Sequence, residues 1–196
     1  MGLADTERNR AAVHEAGHGL IAASRGLGVA VMELHAIDGE GGMRLCEEPS
    51  VLDRVWVLYG GPFAEKVFFG RLTSAAVPPE RDELLLAHKL CREIGINNTI
   101  GFMDQVETYL REHQSLLELV ATRLLEANKL QGADLDQLLR TDFPTTPRKV
   151  LGAVIPHAVP TPHCAGREPH PGIALASDGT LDLIGGTRAL GDPNER

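Results

Sequence analysis

The sequence predicts a mainly helical α+β domain over residues 1–143, with one small β-hairpin, followed by a Pro/Gly-rich tail over 144–196. Three observations carry this reading. Apolar residues recur at helical spacing through most of the first 143 residues. One breaker-free run rich in Val and Ile, Val29 to Ile37, precedes a glycine-rich turn. Proline density changes near Phe143: eight of the twelve prolines lie in 144–196.

The elements follow in order. Asp5 or Thr6 can cap a helix running to about Arg25, where Gly26 and Gly28 end it. Val29–Ile37, the turn Asp38–Gly42 and a returning strand from Met43 to Glu47 form the hairpin. Ser50 caps a second helix carried by Leu52, Val55, Trp56 and Tyr59. Gly60-Gly61-Pro62 is expected to interrupt or kink it before Phe63–Phe69 resumes. Pro78-Pro79 opens a helix that stops at Gly95. A long amphipathic helix is expected over Gln105–Lys129, and a short one over Asp134–Arg140. In the tail, two apolar runs around a Ser-Asp-Gly-Thr turn predict a short hairpin at 173–184.

Composition excludes more than it assigns. The chain of 196 residues is 43% hydrophobic and 23% charged, as in an ordinary globular protein. Only 8 residues are aromatic (one Trp, two Tyr, five Phe), so the core rests on aliphatic side chains. A formal charge of -8 opposes nucleic-acid binding, which needs clustered Lys and Arg. No apolar run is long enough to span a membrane, and no secretory leader is apparent. Three scattered cysteines, Cys46, Cys91 and Cys164, give no disulfide framework, so a reducing, cytoplasmic location is expected. Cys46 and Cys91 are expected to pack as small hydrophobes.

Chemistry concentrates in His14-Glu15-Ala16-Gly17-His18, inside the first helix. Four residues is slightly more than one turn, so both imidazoles leave the same face and can share one metal. Two nitrogen ligands and an open position suit Zn²⁺, which lowers the pKa of bound water to about 7. Glu15, next to the first ligand, is the candidate general base in such a site. The same spacing also occurs on ordinary solvated helix faces. Apolar flanks on both sides of the motif, and a glycine inside the helix, favour a buried site.

The motif is followed by Tyr59-Gly-Gly-Pro-Phe-Ala-Glu-Lys-Val-Phe-Phe-Gly70. Together these stretches resemble the peptidase domain of FtsH, the ATP-dependent zinc protease, across about Thr6 to Leu139. The resemblance implies a helical zincin-type metallopeptidase fold, with zinc as cofactor and a peptide or unfolded protein segment as substrate. It also implies an Asp as third zinc ligand, in a Thr-Gly-Ala-x-x-Asp segment. Here that segment reads Thr73-Ser-Ala-Ala-Val-Pro-Pro-Glu-Arg-Asp82-Glu83, and a gapless match places Pro79 at the ligand position. Asp82, one turn further along the same helical face, is taken as the ligand; Glu80 and Glu83 are alternatives. The competing reading of all three is a charged first turn that complements the helix dipole. Glu65 matches a family Glu and can orient a ligand His, or be an ordinary helix carboxylate. The hairpin at Val29–Glu47 matches the place where the family offers a strand edge to substrate.

Two further departures shape the expectation. The chain shows no ATPase module and no membrane anchor, so peptides and unfolded segments are the expected substrates; a separate ATPase partner and a homo-oligomer are possible associations. Pro62 stands where the family has Arg. His35, His88 and His113 lie outside ligand spacing. In the tail, His163, Cys164 and His170 faintly resemble the cysteine switch of matrix metalloproteinases, in which a side chain fills the open metal position. The expected function is zinc-dependent endopeptidase, with Glu15 catalytic and His14, His18 and Asp82 binding Zn²⁺. The alternative is a non-catalytic zinc-binding or assembly module on the same scaffold.

Overall fold

The computed structural model describes residues 2–35, 41–72, 82–140, 174–176 and 181–182. Six helices and a small antiparallel sheet make a mainly helical α+β fold: α1 (Glu7–Ser24), β1 (Val29–Leu34), β2 (Gly41–Leu45), α2 (Val51–Phe69), α3 (Glu83–Glu93), α4 (Ile100–Glu112), α5 (Gln114–Ala127), β3 (Lys129–Gln131), α6 (Gly132–Arg140), β4 (Ala174–Ala176) and β5 (Leu181–Asp182). The sheet order is β3-β1-β2-β4-β5.

The first helix starts where its cap chemistry puts it. Thr6 is extended and its hydroxyl accepts from the Asn9 N–H. From Ala12 to Ala22 α1 is buried along nearly its whole circumference, because α2 and α5 cover it together with β1 and β2. It is therefore the central helix of the domain. Its approach to α2 is set by glycine. A Cβ on Gly17 would stand 2.4 Å from the Gly60 carbonyl oxygen, so only glycine lets the two backbones touch there.

α2 differs from the expected broken helix. It runs unbroken through Pro62, with Ser50 accepting from the Asp53 N–H at its start and Gly70 in the left-handed region at its end. Pro62 forfeits only one helical hydrogen bond, and the apolar burial of Val55–Ala64 against α1 outweighs that loss. The long final helix is likewise two elements. The chain breaks at His113, whose Nδ1 lies 2.8 Å from the Tyr109 carbonyl oxygen and whose ring stacks on Tyr109. The apolar stripe continues across the break, with Val106, Leu110, Leu117, Val120 and Leu124 all buried.

The hairpin of β1 and β2 is present with a shifted boundary: β2 begins at Gly41 rather than Met43, pairing Leu34 with Gly41 and Met32 with Met43. Residues 36–40, at the expected turn, lie outside the described residues, as does most of the tail. β3, which the sequence did not suggest, adds to the far edge of β1. Within the tail, β4 and β5 pair antiparallel, Leu175 opposite Leu181. No helix of the described residues is long and apolar enough to cross a membrane.

Candidate metal centre

The centre is built where α1, α2 and α3 meet. His14 and His18 leave α1 on one face, with ring centroids 4.6 Å apart and ring planes nearly perpendicular. α2 makes room for them at Gly61, where a Cβ would stand 2.4 Å from His14 Nε2 and 2.6 Å from His18 Nε2. α3 brings the third group with its first residue. Glu83 Oε2 lies 3.0 Å from His14 Nε2, and Glu83 Oε1 lies 3.1 Å from His18 Nε2.

Asp82, the ligand chosen from sequence, does not join them. Its carboxylate caps α3, accepting from the Leu84 and Leu85 N–H groups, and so is committed to the helix terminus. A helix already running through Pro79 and Asp82 would point Asp82 at the histidines. α3 instead begins at Glu83, four residues after Pro79, with Asp82 as its extended cap, and Glu83 takes that direction. Glu80, the other alternative, lies outside the described residues.

The remaining ring nitrogens are held. His14 Nδ1 donates to Glu65 Oε1 at 2.7 Å. The other oxygen of Glu65 faces Arg10 at 3.8 Å, and Arg10 in turn pairs with Asp5. His18 Nδ1 lies 2.7 Å from the Val57 carbonyl and 3.2 Å from the Gly61 N–H. The shorter contact, with a carbonyl that can only accept, places the proton on Nδ1. Both rings thereby turn an Nε2 lone pair toward Glu83.

That arrangement calls for a cation. Two lone pairs and a carboxylate, all acceptors, converge within hydrogen-bond distance in a nearly dry place: His18 is 1% exposed and Glu83 4%. Both Nε2 atoms and both Glu83 oxygens lack a hydrogen-bond partner, because the 3.0–3.1 Å contacts are not aligned as hydrogen bonds. Ligand atoms sharing one tetrahedral Zn²⁺ stand about 3.3 Å apart, close to the spacing here, and two His with one Glu is a donor set of catalytic zinc. Among the described residues this is the only group of three or more His, Cys, Asp or Glu side chains that could hold a metal. In the metal-free chain protons play the same part. Burial opposes charge on the imidazoles, but Glu83 outweighs it at His18 and raises its pKa, and Glu83 together with Glu65 raises that of His14 well above the ordinary value. Burial likewise opposes charge on Glu83, yet both imidazoles hold its carboxyl down at about 2.

Glu15 stands beside this group without joining it. It is 1% exposed, and neither carboxylate oxygen has a hydrogen-bond partner. Burial pushes its carboxyl up to about 7, against the pull of His18 and His14. β2 closes over it: a Cβ on Gly41 would come within 2.6 Å of Glu15 Cγ. His14, at 15% side-chain exposure, is the most open of the four groups.

The isolated histidines stay outside the centre. His88 Nε2 meets Thr99 Oγ1 at 3.3 Å, His113 binds Tyr109, and His35 is exposed. Cys91 is a buried free thiol, as expected, whereas Cys46 is disulfide-bonded, so cysteine usage gives no argument for a reducing compartment. His163, Cys164 and His170 lie outside the described residues. The sequence offers no motif for Arg10, and Gly61 enters it as a helix breaker and as part of the stretch that resembles FtsH. Arg10 sits one turn before His14 on the same helix face, a spacing that could have flagged it; at Gly61 the local signal is a break, whereas the structure uses it to make room for both imidazoles.

No family model matches the chain, and no curated protein matches it in sequence.

Proposed function

We propose that this chain is a zinc-dependent metalloendopeptidase of the helical zincin type, acting on peptides or unfolded protein segments. The observation that carries the proposal is the convergence of His14 Nε2, His18 Nε2 and the Glu83 carboxylate at one buried point, with Glu15 unpartnered beside it. His14, His18 and Glu83 would hold the metal. When bound, zinc supplies a Lewis acid that polarises a peptide carbonyl and makes water acidic near neutral pH.

The chain's own residues do the rest. Glu15 takes the proton of the attacking water on one of its oxygens as the new C–O bond forms. It then delivers that proton to the leaving nitrogen as the C–N bond breaks. Its lack of any hydrogen-bond partner leaves both oxygens available for this. Glu65, anchored from behind by Arg10, fixes the ring of His14, and the Val57 carbonyl fixes that of His18. A site without a third ligand would favour a non-catalytic module. Glu83 supplies a third donor and supports the catalytic reading instead. A separate ATPase partner and self-association belong to the same proposal, through the FtsH resemblance alone.

Glu15→Gln tests it. The expected result is one zinc per chain in both proteins, with hydrolysis of unfolded casein by the wild type and at least about a hundredfold less by the variant. A zinc-loaded wild type that cleaves nothing contradicts the proposal.

A further inference from the structure

β2 borders the metal centre, and its outer edge is taken. Gly41 opens the strand against Glu15. On the next three residues lies β4 from the C-terminal segment, antiparallel, with Gly42 opposite Ala176, Met43 opposite Leu175 and Arg44 opposite Ala174. β5 covers the other side of β4. The sheet edge nearest the centre is thus occupied by this chain's own extended backbone. Such pairing uses main-chain groups, so any extended peptide offers the same donors and acceptors. β4 has three residues and β5 two, at the lower limit of strand length. An occupant that short is displaceable.

We propose that β4 is a displaceable, autoinhibitory occupant of the β2 edge, the hairpin edge that the FtsH resemblance assigns to an extended substrate. β4 leaves before another peptide lies along β2 with its backbone beside Glu15. What then happens to that peptide rests on the metallopeptidase reading; the competition for the edge does not.

The test uses the full chain carrying Ala174→Pro and Leu175→Pro together. Successive residues of a strand send their N–H groups to opposite sides, so one proline removes a donor facing β2 whichever way β4 faces. The probe is a fluorescein-labelled peptide with the sequence of residues 172–184, followed by anisotropy. The double variant is expected to bind it about tenfold more tightly than the wild type, since the competing strand no longer holds the edge closed. An unlabelled unfolded casein fragment is expected to compete. Equal affinity for both chains, or binding to neither, overturns the proposal. Far-UV circular dichroism checks the fold. Should the prolines unfold the domain, Ala174→Gly with Leu175→Gly weakens β4 without removing donors; a smaller gain in probe affinity supports the proposal, and no gain overturns it. Zinc-supported hydrolysis in the same samples separates the two readings. Tighter probe binding with no hydrolysis by any chain keeps the edge and refutes the peptidase, whereas hydrolysis with unchanged binding refutes the edge alone.

Discussion

The Glu83 carboxylate meets His18 Nε2 at 3.1 Å in a setting where both residues are almost fully buried and neither atom has a hydrogen-bond partner. An acceptor facing an acceptor in a place of low dielectric is unfavourable unless a cation relieves it. In the metal-free chain a proton does so, and Glu83 raises the pKa of both imidazoles. A metal ion suits it as well, because the three donor atoms lie within 4.8 Å of one another. The metal reading rests on this relationship.

Glu65 is expected to tune the metal without touching it. Glu65→Ala frees the His14 ring and leaves Arg10 without its inner partner. Zinc affinity should fall about 10–100-fold, as for other partners that orient a metal-binding His, while the stoichiometry at saturating zinc stays at one. Competition with a chromophoric chelator measures it. An unchanged affinity would reduce Glu65 to an ordinary helix carboxylate.

The two glycines of α1 and α2 should separate fold from metal. Gly61→Ala puts a methyl where both imidazoles stand, and zinc binding should be lost with the helices retained. Gly17→Ala pushes the two backbones apart and should destabilise the domain by about 1–3 kcal/mol, read as a lower Tm. Zinc retained at full affinity in Gly61→Ala would mean that the metal lies elsewhere.

Much of this was legible in the sequence, and the misses have physical causes. The pentapeptide placed His14, Glu15 and His18, since the offset of four is a property of any α-helix. Gly17 read correctly as a mark of a buried site, because glycine inside a helix needs a reason, and the structure shows that reason to be the close approach of α2. The third donor did not read, because its identity depends on where α3 starts, and that start is set by the Asp82 cap rather than by Pro78-Pro79. Pro62 misled for the opposite reason: local propensity argues for a break, while burial of both flanks argues for continuity, and burial is the larger effect. The break at His113 is invisible to periodicity, since apolar spacing continues through it. β3 spans three residues, too few for any alternation to show.

Zinc affinity should depend on pH with a definite sign. His14 and His18 have raised pKa values in the metal-free fold, and a metal must displace those protons. Affinity is therefore expected to fall as pH drops through and below these raised values, with up to two protons released per zinc bound. Glu83, held at about 2, stays ionised throughout and adds nothing to the slope. Calorimetric titrations in buffers of different ionisation enthalpy count the protons. Uptake of zinc with no proton release between pH 6 and 8 would contradict the site.

The central claim is that His14, His18 and Glu83 form one metal site, and zinc uptake by three proteins tests it most directly. The wild type should take up one zinc per chain. Glu83→Gln, which keeps the shape and removes the charge, should lose that zinc or bind it at least about a hundredfold more weakly. Asp82→Ala should keep it, while losing about 1 kcal/mol of stability with the cap of α3. Zinc retained by Glu83→Gln and lost by Asp82→Ala would contradict the account and return the third position to Asp82.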